Sequence, residues 1–256
     1  MYTDVVDLRE FYDTSLGQMA RRILRRRIRQ LWPDVRGEIV LGLGYATPLL
    51  RTFRDEAERV LAVMPARQGV TRWPPDGLGL TALAEEAELP LPDMSVDRII
   101  LLHGLEVTEN LAGLMRECWR VLAGGGRLLA IVPNRRGIWA RTDRTPFGHG
   151  RPYSASQLSR MLRDHSFVPQ RSTGALYIPP LRARFLLGAA TAWEEVGLRW
   201  FETFSGVVMI EASKQLYQTS NVRRKRRHRP VLLPVGQARP GYGVAAGFPA
   251  ESREPG

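Results

Sequence analysis

Residues 38–50 read EIVLGLGYATPLL, and this stretch decides how the chain is interpreted. Glu38–Leu41 predicts a short strand, and the following GLGYATP, residues 42–48, predicts a tight loop that leads into a helix. We expect Thr47 to cap that helix and Pro48 to be its first residue, because proline suits a position whose N–H has no partner. A strand, a glycine-containing loop and a helix in this order indicate an α/β fold.

Strand and helix signals alternate along the rest of the chain, except at residues 80–87, which carry little regular signal. This alternation is typical of a parallel sheet with crossover helices, so we expect a Rossmann-like, doubly wound, mostly parallel α/β fold. An N-terminal helix precedes it and a helical insertion precedes the last strand. The predicted strands are Arg59–Val63, Arg98–Leu102, Arg127–Val132, 169–173 and 206–213, and the predicted helices are 7–31, Leu49–Arg59, 111–122, Ala155–His165 and the insertion 180–202.

The helix at 111–122 has the clearest apolar periodicity, with Thr108 or Asn110 available as its cap and the glycines of 123–126 expected to end it. Cys118 lies on its apolar face and is expected in the core. As the single cysteine of the chain, it excludes a disulfide framework, and the four histidines show no metal-ligand spacing.

Composition and charge limit the classes of protein to which this chain can belong. A chain of 256 residues fits one α/β domain with extensions, and its start has no apolar region of the kind found in secretory signals. The longest uncharged apolar run, Phe185–Trp193, is far shorter than a membrane span, so we expect a cytoplasmic protein. The arginines of residues 21–29 are interpreted as the solvated face of the N-terminal helix.

The net charge of +11 is concentrated at the end of the chain. From Lys214 onward there are nine Lys/Arg and two Glu, which makes +7 of the total. We divide the chain into a helical extension (1–36), a Rossmann-like domain (37–214) and a basic tail rich in Arg, Pro and Gly (215–256), which we expect to be disordered. Deleting residues 222–256 is expected to leave the fold and cofactor binding intact.

Several segments, taken in order, resemble the class I S-adenosylmethionine (SAM) methyltransferases, and among them the type-11 group, which includes quinone- and biotin-pathway enzymes. After the Gly-x-Gly loop and a second strand come LPLPDMSVD at 89–97, a strand ending in HGLE at 103–106, and RVLAGGGRLL at 120–129. The resemblance covers about residues 36–170, with a plausible terminal strand at 206–213. It implies SAM as the cofactor and methyl transfer as the activity.

The cofactor loop departs from the pattern of that family. The family's loop reads Asp/Glu-x-Gly-x-Gly-x-Gly, and an acidic residue ends the second strand. Here Gly44 matches, but Gly42 and Met64 stand at the two acidic positions, and Ala46 and Pro48 replace glycines. An unmade hydrogen bond to a charged group costs roughly 1.5–3 kcal/mol, so two losses correspond to about a hundredfold weaker binding or more.

The resemblance also implies which residues contact the cofactor. In the family the first acid holds the ammonium end and the second accepts hydrogen bonds from the ribose; Glu106 is a conceivable substitute for the first, and Gln68 or a backbone carbonyl for the second. Glu85 and Glu86 lie where the family often places an acid against the adenine amino group, although an exposed acidic loop is an equal alternative. The predicted cofactor-binding residues are Gly42, Gly44, Tyr45, Ala46, Met64, Glu85, Glu86 and His103.

A dinucleotide site is the minor alternative, because a Gly-x-Gly loop before a helix is shared by both kinds of protein. Arg67 could meet the 2′-phosphate of an NADP-type cofactor. The acid expected about 20 residues after the loop is absent, and the RVLAGGG turn favours the methyltransferase interpretation.

Three residues are candidates for catalysis: His103, His149 and Tyr153. His103 follows a buried strand and suits a base or a substrate contact, or else it simply ends that strand against a backbone carbonyl. No specific base is required, because many methyltransferases rely mainly on in-line alignment of the reactants.

The loop PNRRGIWARTDRTPFGHGRPYS at 133–154 is long and rich in arginine and aromatic residues. Asn134, Arg135 and Arg136 are the predicted substrate-binding residues, since guanidinium groups bind carboxylate or phosphate in a bidentate manner. The alternative is that these arginines pair with acids of the same chain.

The sequence therefore predicts a SAM-dependent methyltransferase that acts on a small molecule, with an anionic substrate favoured by these arginines. Two alternatives remain open. One is a protein that kept the fold for binding or regulation and lost catalysis. The other is an RNA methyltransferase that uses the basic segment Arg223–Arg229. The same segment suits a weak, nonspecific contact with RNA or with an acidic partner. The acceptor, the reacting atom and the oligomeric state do not follow from the sequence.

Overall fold

The computed structural model describes residues 4–180, 190–200 and 202–216, all within one compact unit formed by residues 1–218. The basic tail and the first part of the predicted insertion lie outside the described residues. The remainder of the insertion contains a helix, Ala190–Trp200. Within the described ranges, no helix is long and apolar enough to cross a membrane.

The described part of the chain forms a seven-stranded sheet whose first five strands run parallel to one another. The last strand of the chain pairs antiparallel with both the fifth and the sixth strand. The predicted mostly parallel α/β fold is confirmed. The spatial order is β3-β2-β1-β4-β5-β7-β6, and the strands are β1 (Ile39–Gly44), β2 (Arg59–Pro65), β3 (Thr81–Ala84), β4 (Val96–Leu102), β5 (Leu122–Pro133), β6 (Phe167–Ala175) and β7 (Val207–Lys214).

The helices lie on both faces of the sheet. Alternate residues of each strand face opposite sides, so that Ile100 packs with α1–α3 on one face while Ile99 and Leu101 pack with α4 and α5 on the other. Cys118 is buried on this second face, as predicted, and burial raises the pKa of its thiol. The helices are α1 (Val5–Asp13), α2 (Ser15–Leu31), α3 (Thr47–Leu50), α4 (Leu111–Val121), α5 (Ala155–Asp164) and α6 (Ala190–Trp200).

The single helix predicted at 7–31 is wrong, because the chain breaks at Thr14. Thr14 is extended, with φ −70° and ψ 159°, and it caps both α1 and α2. Its hydroxyl donates to the carbonyl of Phe11 and accepts from the N–H of Gly17, so the side chain replaces helical hydrogen bonds. A Cβ at Gly17 would lie 2.0 Å from the Phe11 carbonyl oxygen, which is why glycine stands at this bend.

Three further predictions needed correction. The helix expected from Leu49 to Arg59 consists only of α3 and a 3₁₀ turn at 51–53. The N-cap of α3 is Ala46 and not Thr47, so this helix has no side-chain cap. A strand, β3, lies in residues 80–87, where no regular element was expected. The glycines of 123–126 belong to β5, because pairing of β5 with β4 already begins at Leu122.

Candidate functional site

The strand order reverses between β1 and β4, which lie side by side at the middle of the sheet. In open α/β sheets, ligands bind beyond the carboxyl ends of the strands at such a switch point. Gly44 ends β1 and is paired with Leu102, which ends β4. The segments that follow these two residues therefore define the candidate site.

The loop after β1 is held directly against β4. The N–H of Tyr45 donates to the carbonyl of Leu102 at 2.8 Å. Gly44 has φ +75°, and a Cβ at this position would lie 2.3 Å from the same carbonyl oxygen. Only glycine fits here without displacing one of the two strands.

Gly42 stands at the first acidic position of the family pattern, and it lies inside β1 instead of at the strand's end. A Cβ there would lie 2.7 Å from Leu50 Cδ1 and 2.8 Å from Ala46 Cβ. In this packing a carboxylate side chain has no room, because α3 lies directly against the strand. Met64, at the second acidic position, is fully buried in the core.

His103 follows β4, is buried and contacts several other side chains. Its φ of +53° is in the left-handed region, which is uncommon for a residue with a side chain. Nε2 is 2.9 Å from the hydroxyl of Tyr12, Nδ1 is 3.3 Å from Oε1 of Glu106, and the carbonyl accepts from Nε2 of Gln68 at 3.0 Å. The ring of Phe147 packs at 4.8 Å.

Three carboxylate or amide oxygens around this point are buried and have no hydrogen-bond partner among the described residues: Oε1 of Gln68, Oε1 of Glu86 and Oε2 of Glu106. A buried acceptor without a donor costs about 1–3 kcal/mol, and more when it is charged. All three belong to segments that follow β2, β3 and β4. A ligand that brings hydrogen-bond donors to the carboxyl ends of these strands would satisfy them.

The space between these strands is narrow. A cavity of about 10 Å³, large enough for at most one water molecule, lies among Gly44, Val63, Leu101 and their neighbours. Beside it, a cavity of about 170 Å³ is lined by Glu85, Glu86 and the segments around them, and the two share Pro65 and Glu86. A ligand as large as a nucleoside therefore requires neighbouring side chains or α1 to move.

Helix α1 covers the carboxyl ends of the central strands. The N–H of Val5 donates to the carbonyl of Gln68 at 2.9 Å, and Tyr12 stacks on Tyr45 with ring centroids 5.9 Å apart. Burial, together with the neighbouring Tyr45 and Glu106, raises the pKa of the Tyr12 phenol, so it remains a neutral donor. Tyr12 was not among the predicted site residues. Its only signal in the sequence was a hydroxyl on the otherwise apolar face of the first helix.

Replacing Tyr12 by Phe is expected to lower the free energy of unfolding by about 1 kcal/mol, because His103 Nε2 loses its buried partner. Urea denaturation measures the change. Tyr153→Phe is the matched control, since the Tyr153 hydroxyl makes no hydrogen bond with the described residues and its removal should be close to neutral. Equal losses in the two variants would show that the Tyr12–His103 bond does not stabilise the closed site.

The other predicted catalytic residues lie further out. His149 is exposed, and its Nε2 is 3.1 Å from the carbonyl oxygen of Asp143. Tyr153 is half-buried, and burial, with a smaller effect of Glu106, raises the pKa of its phenol. The predicted loop at 133–154 does reach the cleft edge, because the N–H of Arg151 donates to the Glu106 carbonyl at 2.7 Å.

The structure does not bring the predicted substrate-binding residues to the Gly44 loop. Asn134 and Arg136 line a separate cavity of about 340 Å³ next to β6 and β7, and Arg135 is exposed. The side-chain amide of Asn134 donates to the carbonyls of Thr203 and Ser205. Asn134 therefore ties the end of β5 to the segment before β7.

The central part of the chain is similar to a known protein family. Residues 38–130 match the family model of the methyltransferase domain. This segment is similar to a methyltransferase domain. It includes β1 to β4, α4 and most of β5, and therefore the Gly44 loop, His103 and the three unpartnered acceptors.

Two relatives match the methyltransferase domain over part of their length. A probable SAM-dependent methyltransferase of Mycobacterium tuberculosis is 40% identical over 101 residues, which is 39% of this chain and 36% of the relative. A relative from Mycolicibacterium smegmatis with a similar name is 36% identical over 93 residues, 36% of each chain. The match thus spans about a third of the curated relatives' length. Both names agree with the predicted cofactor, SAM.

The fold extends beyond the matched segment. A putative methyltransferase of Haloferax volcanii, solved in complex with the activator Trm112, superposes with a TM-score of 0.56 over 82% of this chain and 98% of that chain. Its sequence identity is 19%, so the likeness shows the fold alone. Both comparisons confirm the resemblance that the sequence motifs indicated.

Proposed function

We propose that this chain is a SAM-dependent methyltransferase that acts on a small, anionic molecule. The observation that carries the proposal is a set of three buried acceptors that have no donor among the described residues and that surround the switch point of the segment similar to a methyltransferase domain. SAM presents donors at its ammonium, ribose and adenine groups. The donor set of the cofactor and the acceptor set of the cleft are therefore complementary.

Each acceptor is assigned to one part of the cofactor. Oε2 of Glu106 accepts from the ammonium group, Oε1 of Gln68 from a ribose hydroxyl, and Oε1 of Glu86 from the adenine amino group. Glu106 and Gln68 thereby replace the two carboxylates that Gly42 and Met64 lack. The bound cofactor supplies an electrophilic methyl group on a positively charged sulfur.

The residues of this chain contribute orientation. His103 is held by Tyr12 and Glu106 and does not need to remove a proton, because alignment of the acceptor with the methyl group is the main requirement. Phe147 and Tyr12 pack around His103 and exclude water from the carboxyl end of β4. Since α1 covers the cleft, we expect it to move when the cofactor enters.

The assignment of Glu106 is tested by Glu106→Gln. This change removes a charged acceptor but keeps the size of the side chain, so the affinity for S-adenosylhomocysteine (SAH) should fall by about tenfold to a hundredfold in calorimetry. Glu58→Gln is the control, because Glu58 is exposed and lies before the start of β2, at the opposite end of the strand from the cleft. Unchanged affinity in Glu106→Gln would refute its role at the ammonium group.

A further inference from the structure

A further cavity, of about 350 Å³, opens beside Tyr45, and the proposed binding of the cofactor does not use it. Its wall carries six arginines and two aspartates, Asp13 and Asp76, which leaves a formal charge of +4. Tyr12, Tyr45 and Trp73 add aromatic surface. The arginines come from α1, α2, the turn after α3 and the loop after β2, and they are Arg9, Arg21, Arg25, Arg51, Arg54 and Arg72.

None of these six arginines forms an ion pair within 4.0 Å of a carboxylate in the described part of the chain. Nε of Arg21 is buried and has no hydrogen-bond partner there. Nε of Arg25 donates to the carbonyl of Pro48 at 2.7 Å, and both residues line the cavity. By contrast, Arg26 and Arg29 on the same helix pair with glutamates.

The arginines are close enough to repel one another. Burial, followed by the charges of Arg21 and Arg51, lowers the pKa of Arg25 to about 10. A cluster of like charges around a partly enclosed space raises the local positive potential and attracts anions. Guanidinium groups bind phosphate oxygens through paired, charge-assisted hydrogen bonds.

We infer that this cavity is an anion-binding site for the phosphate or diphosphate group of an organic ester. Several unpaired arginines around one space favour a group with two or more negative charges over a single carboxylate. The half-buried Trp73 packs against the organic part of the ligand, whereas Tyr12 and Tyr45 line the cavity from almost fully buried positions. The cavity volume falls within the range usual for small-molecule sites, about 300–1,000 Å³.

The cavity is connected to the cofactor cleft through two residues. Tyr45 follows Gly44 in the cofactor loop, and the Tyr12 hydroxyl contacts His103. That the ester is the methyl acceptor rests on the proposed function, whereas the anion site itself does not. Arg21 and Arg25 belong to the predicted solvated face of 21–29, and in the structure they are half-buried and line this cavity.

The experiment is a calorimetric titration of the full chain with pyrophosphate at low salt. Wild type should show saturable one-to-one binding, and Arg21→Gln and Arg51→Gln should each weaken it by about tenfold or more. Arg22→Gln is the matched control, because Arg22 is exposed on the same helix and does not line this cavity. The basic tail is present in every variant, so any binding to it is common to all of them.

Two outcomes would overturn the anion site: no saturable binding to wild type, or equal affinity in wild type and all three variants. Phenyl phosphate is the second probe and should bind more tightly than inorganic phosphate, and equal affinities would refute the aromatic part of the site. SAH is titrated into the same variants and should bind unchanged to Arg51→Gln. Arginine-dependent pyrophosphate binding without SAH binding would leave the anion site standing and refute the proposed function.

Discussion

Replacing Gly44 by alanine is expected to abolish measurable SAH binding, with a loss of about a hundredfold or more, and to destabilise the fold. Two costs add at this position. The left-handed backbone, with φ +75°, costs about 1–2 kcal/mol for a residue with a Cβ. The new methyl group would also lie 2.3 Å from the carbonyl oxygen of Leu102, so the loop must leave β4 and the cleft loses its shape.

Gly37→Ala separates these two costs. Gly37 also has a positive φ, +73°, but nothing lies within 4 Å of the Cβ that the substitution adds. This control should lose about 1–2 kcal/mol in urea denaturation and keep its affinity for SAH. If Gly44→Ala matched Gly37→Ala in both measurements, the close contact between the loop and β4 would not matter for binding.

Replacing Glu211 by glutamine is expected to cost about 3 kcal/mol of stability. Glu211 is fully buried in β7, and its Oε1 accepts from Trp32 Nε1 at 2.8 Å and from Arg127 Nη1 at 3.0 Å. Arg98 and Arg171 lie at 3.9 Å and 3.5 Å. Removing this carboxylate takes away the counter-charge of Arg127 and Arg171, whereas Arg98 keeps its pair with Glu38. Breaking a buried ion pair costs about 3–5 kcal/mol. We take the lower end, because Arg127 and Arg171 are partly exposed.

Thermal denaturation measures this loss, and for a domain of this size the melting temperature should fall by roughly 6–12 °C. Glu195→Gln is the control, because Glu195 pairs with Arg26 on the surface, where both side chains are more than half exposed. Exposed ion pairs contribute about 0–1 kcal/mol. A fall in Glu211→Gln no larger than in the control would show that the network anchoring α2 to the sheet is not stabilising.

Most of the sheet could be predicted from the sequence, because its buried strands have strong local signals. The exception, β3, consists of four residues at the edge of the sheet and includes two alanines, so neither length nor β-propensity marks it. The break at Thr14 was missed for a different reason. The apolar spacing of the helix continues across the break. The bend brings Gly17 close to Phe11, and only a residue without a Cβ permits this contact.

The site was harder to predict because it depends on contacts between distant segments. Glu106 and Gln68 were candidates because of their places after predicted strands, whereas Glu86 was a candidate only through the family resemblance, since β3 was not predicted. The proposed role of Arg21 and Arg25 did not follow from the sequence, since helical spacing shows that they share a face but not which residues that face contacts. The sequence likewise showed only that Gly42 stands where the family has an acid, and the packing against Leu50 became apparent only in the structure.

The most direct test of the account is a calorimetric titration of the full chain with SAH. The three buried acceptors predict saturable binding with one site per chain, together with a rise in melting temperature as SAH is added. We expect this in spite of the missing carboxylates at Gly42 and Met64, because we propose that Glu106 and Gln68 take their places. No heat and no thermal shift at millimolar SAH would contradict the account and leave a methyltransferase fold without its cofactor.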